Sequence, residues 1–160
     1  MKNNEKLISC DSLNQRDKRS VIFHLLYAME SFDYDISLDS VTDNFGRGYG
    51  CIVDRGGKLF DAAQQIVDER ESLDEEIKPL LDNWRFERLG VATKLILRYA
   101  IWELRYTDID SIIVINEAIE LSKSFAEKDS YRFINGILDK WCEKNGKTSS
   151  KKEPEVAVST

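Results

Sequence analysis

Phe125, Asp129 and Phe133 follow one another at four-residue steps, two aromatic rings with a carboxylate midway between them. Single-stranded RNA is recognised by laying unstacked bases on such rings, while side-chain donors and acceptors address the base edges and cations hold the phosphates. In this set the rings would stack bases and the carboxylate would accept from base amino groups. Arg16, Lys18 and Arg19, gathered around Asp17, leave room for a small basic site. The same residues also admit a plain structural reading: both rings can sit in a core, and Asp129 can serve as a helix N-cap.

No catalytic constellation competes. His24, the single histidine, stands between Phe23 and Leu25, where a packed or surface role fits better than a base beside a nucleophile. Gly46-Arg47-Gly48-Tyr49-Gly50 lacks the Gly-Lys-Ser/Thr that completes a phosphate-cradling loop. Glu117 and Glu120 have i, i+3 spacing but no histidine near them, so a di-metal site lacks ligands. Glu120 with Lys123 reads as a helix-surface ion pair. Cys10, Cys51 and Cys142 show no short spacing, which fits neither a zinc site nor a disulfide framework, and small buried or idle thiols are expected. The residues predict no enzyme activity and no metal site.

The elements that must position these side chains are helical. Val21, Leu25, Ala28, Met29 and Phe32 recur on one helix face, widened by Ile22 and Leu26. A shorter helix is expected from Leu38 to Phe45 after Ser37 as N-cap. Five of the eight glycines then fall between Gly46 and Gly57, which predicts a loop. Leu59, Ala62, Ala63, Ile66 and Val67 resume the helical pattern. Ser72 with Glu75 matches a capping box opening a helix that carries Leu73, Ile77, Leu80, Leu81 and Trp84, bent or shortened by Pro79. From Leu89 to Tyr106 apolar residues spread around most of the circumference, the mark of a central helix. Asp108 or Asp110 can cap the next helix, which runs to about Phe125. Asp129 or Ser130 can cap the last, where Gly136 is expected to let a neighbouring backbone come close. Only Ile112 to Ile115 hints at a strand, and it is too short to insist on.

An all-α fold follows, a single compact bundle of about six or seven helices in two packed halves. It should span residues 13–145, between a flexible N-terminus (residues 1–12) and a disordered tail (146–160). At 160 residues, with 42% hydrophobic and 32% charged side chains, the chain can bury one sizeable core and is not of disordered type. No apolar run reaches membrane-spanning length and the first residues lack a secretory apolar core, so a cytoplasmic protein away from membranes is expected. The net charge of −6 argues against gripping nucleic acid by charge alone. Residues 54–76 hold eight acids against three bases, so a small basic site on an acidic body would bind weakly without help.

Ile115-Asn116-Glu117-Ala118-Ile119-Glu120-Leu121, Lys123-Ser124-Phe125, Asp129-Ser130 and Phe133-Ile134-Asn135-Gly136-Ile137-Leu138-Asp139-Lys140 closely resemble the C-terminal signature of the NusB family. Leu97-Arg98 with Glu103-Leu104, and Leu26-Tyr27 upstream, are similar to two further family elements. Polar Asn116, Glu117, Lys123, Asn135 and Asp139 are in place, which helical periodicity alone would not reproduce.

The resemblance implies RNA contacts at Phe125, Asp129, Phe133, Arg16, Lys18 and Arg19, and docking of the small-subunit ribosomal protein NusE on a face that includes Tyr27. It implies an RNA-binding transcription antitermination factor that, with NusE, recognises boxA in nascent ribosomal RNA and serves the RNA polymerase antitermination complex, as a monomer or homodimer and without a cofactor. Family members often carry a dense arginine run where this chain has Gln15-Arg16-Asp17-Lys18-Arg19, so RNA affinity should lean more on NusE. Thr93 stands where some members place an acid facing NusE. A NusB-like protein-interaction module with weak or no independent RNA binding is the alternative.

Overall fold

The structure, a computed structural model, describes residues 7–147, and every side chain among them except those at positions 44 and 46–49. The chain divides into two compact units, Met1–Arg70 and Glu71–Thr160. Seven α-helices carry the described residues, with two strands of two residues each. The fold is all-α, as the periodicity predicts.

In the first unit, α1 (Gln15–Ser31) opens on Asn14, whose Oδ1 accepts from the amide of Asp17 at 2.8 Å. It buries Val21, Ile22, Leu25, Leu26 and Met29. Phe32, expected on the same stripe, falls one residue past the helix end and is 54% exposed. Ser37 opens α2 (Leu38–Tyr49), its hydroxyl accepting from the amide of Ser40. This helix runs through Gly46 and Gly48, four residues beyond the expected break at Phe45. Glycine weakens a helix by roughly 1 kcal/mol against alanine without forbidding it. The chain leaves the helix only at Gly50, with φ +66°, a conformation that costs glycine little.

Two strands absent from the expectation follow from this. β1 (Ile8–Ser9) pairs in parallel with β2 (Cys51–Ile52), and Cys10 and Cys51 form a disulfide. That corrects the reading of all three cysteines as idle thiols; only Cys142 is free, and it is buried. Sequence spacing does not report a proximity created by strand pairing, here Ile8 opposite Cys51. The same segment caps α3 (Lys58–Asp68). Gly57, its N-cap, has no side chain to offer, and Asp11 Oδ1 accepts from the amide of Leu59 at 2.9 Å instead. A Cβ at Gly57 would collide with that carboxylate. Ser9 hydrogen-bonds Asp54. Residues 8–12 are therefore built into the unit, where a flexible terminus to residue 12 was expected. Residues 1–6 and 148–160 of the expected terminus and tail lie outside the described residues.

The second unit begins within α4 (Arg70–Ile77), whose first residue closes the first unit. Only Glu69 separates α3 from α4, so Ser72 lies inside the helix and the expected capping box with Glu75 does not form. Pro79 shortens the element as predicted. The α-helix stops at Ile77 and a single 3₁₀ turn, Lys78–Leu80, ends it. In α5 (Val91–Tyr106) every residue from Leu95 to Leu104 is buried. Arg98 meets Asp74 of α4 through two bonds, Nε to Oδ1 at 2.6 Å and Nη2 to Oδ2 at 2.8 Å. Asp110 caps α6 (Ser111–Phe125) by accepting from the amide of Ile112. α7 (Ser130–Lys144) packs against both α5 and α6.

Gly136 lies within α7, but a Cβ there would meet nothing within 4 Å. The expected close neighbour is absent among the described residues. Gly136→Ala should therefore stabilise the fold by about 0.5–1 kcal/mol, the ordinary helix preference for alanine, read as a higher midpoint in thermal or denaturant unfolding.

Asp139 lies one turn on from Asn135. Its Oδ1 is buried with no hydrogen-bond partner among the described residues, and burial pushes the carboxyl above its ordinary range. A raised acid favours the folded state while protonated, so stability falls as pH climbs from the ordinary carboxylate range through the raised value. Asp139→Asn should raise the melting temperature above that window. Its advantage should fade at acid pH, and an equal gain at every pH would sink this account.

Candidate nucleic-acid interface

The corner between α6 and α7 brings the second unit's candidate residues together. Phe125 is the last residue of α6 and 39% exposed. Four residues, Ala126 to Asp129, turn the chain. Asp129 takes φ +68°, a left-handed conformation that aspartate tolerates better than most residues. It holds the N-cap position of α7, but its side chain makes no capping bond, since that bond belongs to an extended N-cap residue. Among the described residues this exposed carboxylate accepts no hydrogen bond. The nearby Arg132 donates from Nε to the Tyr131 hydroxyl at 3.1 Å. It is held above its ordinary value first by that bond, then by the charges of Tyr131 and Asp129. Lys123 lies over the Tyr131 ring, 5.1 Å from its centroid, where an ion pair with Glu120 was expected.

Asp129 and Phe133 line one pocket of about 240 Å³, with Trp84, Arg88 and Thr93 on the opposing side and Glu127, Lys128 and Ser130 along the turn. Phe125 is not part of its lining. Trp84 and Phe133 meet at 5.7 Å between centroids and 65° between planes, so their rings form a corner. The volume is below that of sites for drug-sized ligands and suits one flat ring system.

Local causes place each wall. After the turn at Leu80, Asp82 takes φ +51° and the amide of Trp84 donates to the carbonyl of Leu81 at 2.9 Å. Lys140 of α7 ties this turn down through Asp82. Trp84 thereby stands outside any helix, 63% exposed, although periodicity placed it on the face shared with Leu80 and Leu81. Gly90, the N-cap of α5, comes so close to the α6–α7 turn that a Cβ would lie 3.3 Å from Glu127 Oε1. Neither Gly90 nor Asp129 supplies a side-chain cap. Two helix starts with uncapped first-turn amides thus border the pocket, each carrying roughly half a positive charge. Arg88 and Lys128 add full positive charges. Glu127 and Asp129 bring two carboxylates to the same lining, so on a chain of net charge −6 this is an aromatic recess of mixed charge.

Trp84 and Arg88 were not singled out by sequence reasoning. Their signal was Pro79: once a proline ends a helix, the residues beyond it no longer share its apolar face.

The first unit holds the other candidates. Arg16 is exposed and Lys18 half-buried at the start of α1. Arg19 is buried, only 6% exposed, which removes it from the expected set of phosphate contacts. It follows Lys18 by one residue, and successive helix positions face in different directions. Tyr27 is 45% exposed, its ring 6.2 Å from that of Phe23. His24 Nδ1 hydrogen-bonds the carbonyl of Ser20 in its own helix at 2.7 Å. Among the described residues no three His, Cys, Asp or Glu side chains gather as metal ligands.

Comparison with known proteins adds an independent line. The NusB family model matches residues 16–143. The transcription antitermination protein NusB of Staphylococcus carnosus is 32% identical over 126 residues, covering 79% of this chain and 97% of that one. The protein of the same name from Nitratiruptor is 36% identical, covering 76% and 86%. Among solved structures, T. maritima NusB superposes with a TM-score of 0.62 at 26% identity, covering 82% of this chain and 92% of that one. NusB from Aquifex aeolicus superposes equally well at 20% identity, a likeness of fold. With the signature around Asn116 to Asp139 and these helices in this order, the chain belongs to the NusB family.

Proposed function

We propose that this chain is a transcription antitermination factor that binds the boxA element of nascent ribosomal RNA together with ribosomal protein NusE. The convergence of Asp129 and Phe133 on one recess, with the carboxylate not engaged in capping, carries the reading. An aromatic face, an idle acceptor and nearby cations are what single-stranded RNA requires of a protein. The names of the relatives, transcription antitermination protein NusB, support the biological setting. Phe125, exposed at the end of α6, offers a second stacking face. Arg16 and Lys18 are the phosphate contacts of the first helix, and Tyr27 belongs to the NusE-facing surface. The partner assembly is RNA polymerase in its antitermination complex.

Arg19 is withdrawn by burial, leaving two cations at the start of α1 in place of three. This favours reliance on NusE. It also favours a second reading, a NusB-like interaction module that binds no RNA by itself.

Fluorescence anisotropy with labelled boxA RNA, with and without NusE, tests both. Sequence-preferring binding should appear in the ternary mixture, and Phe133→Ala and Phe125→Ala should each weaken it by about 1–3 kcal/mol with the melting temperature retained. Reversing Arg16 and Lys18 together should lower the log–log salt slope by roughly 0.7 per contact. Absence of any preference for boxA in the ternary mixture removes the antitermination reading. Unchanged binding across an RNA panel after the charge reversal favours the interaction module.

A further inference from the structure

The recess beside α7 has a chemistry more specific than general base stacking. Two acids of the turn line it, Glu127 against the start of α5 and Asp129 at the start of α7, and the Asp129 carboxylate holds only acceptor atoms when ionised. Adenine and cytosine each offer one amino group at their pairing edges, and uracil offers one ring N–H. Guanine alone presents two adjacent donors there, its ring N–H and its amino group, which a carboxylate can accept side by side. The walls support a flat guest: Trp84 and Phe133 meet at 65°, so a base lying on one ring abuts the edge of the other. Trp84 is 63% exposed and has no packing duty that would hide its face. The rim offers a phosphate two cations, Arg88 and Lys128, and the uncapped start of α7, while Glu127 lies against the start of α5.

We infer that Trp84, Arg88 and Asp129 form a nucleotide pocket that selects guanine, with the base against Trp84 and Phe133, its pairing edge on the Asp129 carboxylate and its phosphate toward Arg88 and Lys128. This rests on the RNA-binding reading and adds to it two residues, Trp84 and Arg88, and one base identity. Asp129 is then a selector as much as a binder. Its negative charge opposes a phosphate, so the residue is favourable only toward a base that returns two hydrogen bonds.

The test uses the full chain and four probes, GMP, AMP, CMP and UMP, followed by NMR. The chain has three tryptophans, and Trp102 and Trp141 are at most 9% exposed. The Trp84 indole signal is therefore identified by its loss in Trp84→Leu. GMP should shift it, and the amides of Asp129 and Ser130, at concentrations on the order of tenfold lower than the other three nucleotides, as expected of a bidentate pair. Asp129→Asn should erase that preference while leaving AMP, CMP and UMP bound at least as well as before. Trp84→Leu should weaken all four, read on the Asp129 and Ser130 amides, with unfolding midpoints of both variants near the parent's.

Equal affinity for all four nucleotides, a preference that survives Asp129→Asn, or an unmoved Trp84 signal overturns the inference. A boxA titration with NusE in parallel separates the two claims. If boxA is recognised and GMP is not preferred, only the guanine pocket falls. If neither occurs, both fall. A GMP preference that depends on Asp129 and Trp84 but comes without boxA recognition keeps the pocket and removes the antitermination role.

Discussion

The burial of α5 is the constraint on which the second unit turns. Ten consecutive residues, Leu95 to Leu104, lie out of water, and a helix in that position must find partners for whatever polar groups it carries. Arg98 is the clearest case. A guanidinium that is 6% exposed needs compensation, and Asp74 meets it with both carboxylate oxygens. Removing one member of such a pair typically costs 3–5 kcal/mol, because the other is left charged and alone. The pair fixes the rotation of α5 about its axis relative to α4. With that rotation fixed, the start of the helix, Gly90 to Thr93, is held against the α6–α7 turn, and the recess has a rigid wall.

Charge in the recess is mixed, where the molecule as a whole is acidic. At physiological ionic strength the screening length is about 8 Å, so acids elsewhere on the surface are muted at the pocket. Arg88, Lys128 and two helix starts act at contact range, against Glu127 and Asp129. A chain of net charge −6 can thus hold one anion-tolerant place without being a general polyanion binder, and sequence-blind attachment to nucleic acid is disfavoured. Discrimination in such a site comes from base chemistry more than from charge.

Legibility from sequence followed the reach of the interactions. The spans of α5, α6 and α7 were readable because an apolar stripe and a cap are local facts: Asp110 sits beside the amide it accepts from. The Phe125–Asp129–Phe133 corner was readable for the same reason, although sequence did not reveal that Asp129 occupies the N-cap position without capping. What escaped depended on distant partners. Strand pairing joined Cys10 to Cys51 across 41 residues, and Asp11 served as cap for a helix starting at Lys58. Trp84 was misplaced because a helical period was carried past Pro79, and Arg19 because charge was read without direction. Gly46 and Gly48 were read as a loop from composition, whereas α2 continues through them.

The sulfur bridge makes the order of the chain's opening segment answerable to its chemical surroundings. Closing a ring that large removes unfolded-state entropy worth about 4 kcal/mol in the chain-entropy account. A milieu rich in small thiols would return Cys10 and Cys51 to separate side chains. What then holds Ile8 to Ser12 is the packing of buried Cys10, a two-residue ribbon, one hydroxyl contact to Asp54 and the Asp11 cap on α3. The last of these works in both directions, since a segment that lets go also leaves the first turn of α3 without its acceptor.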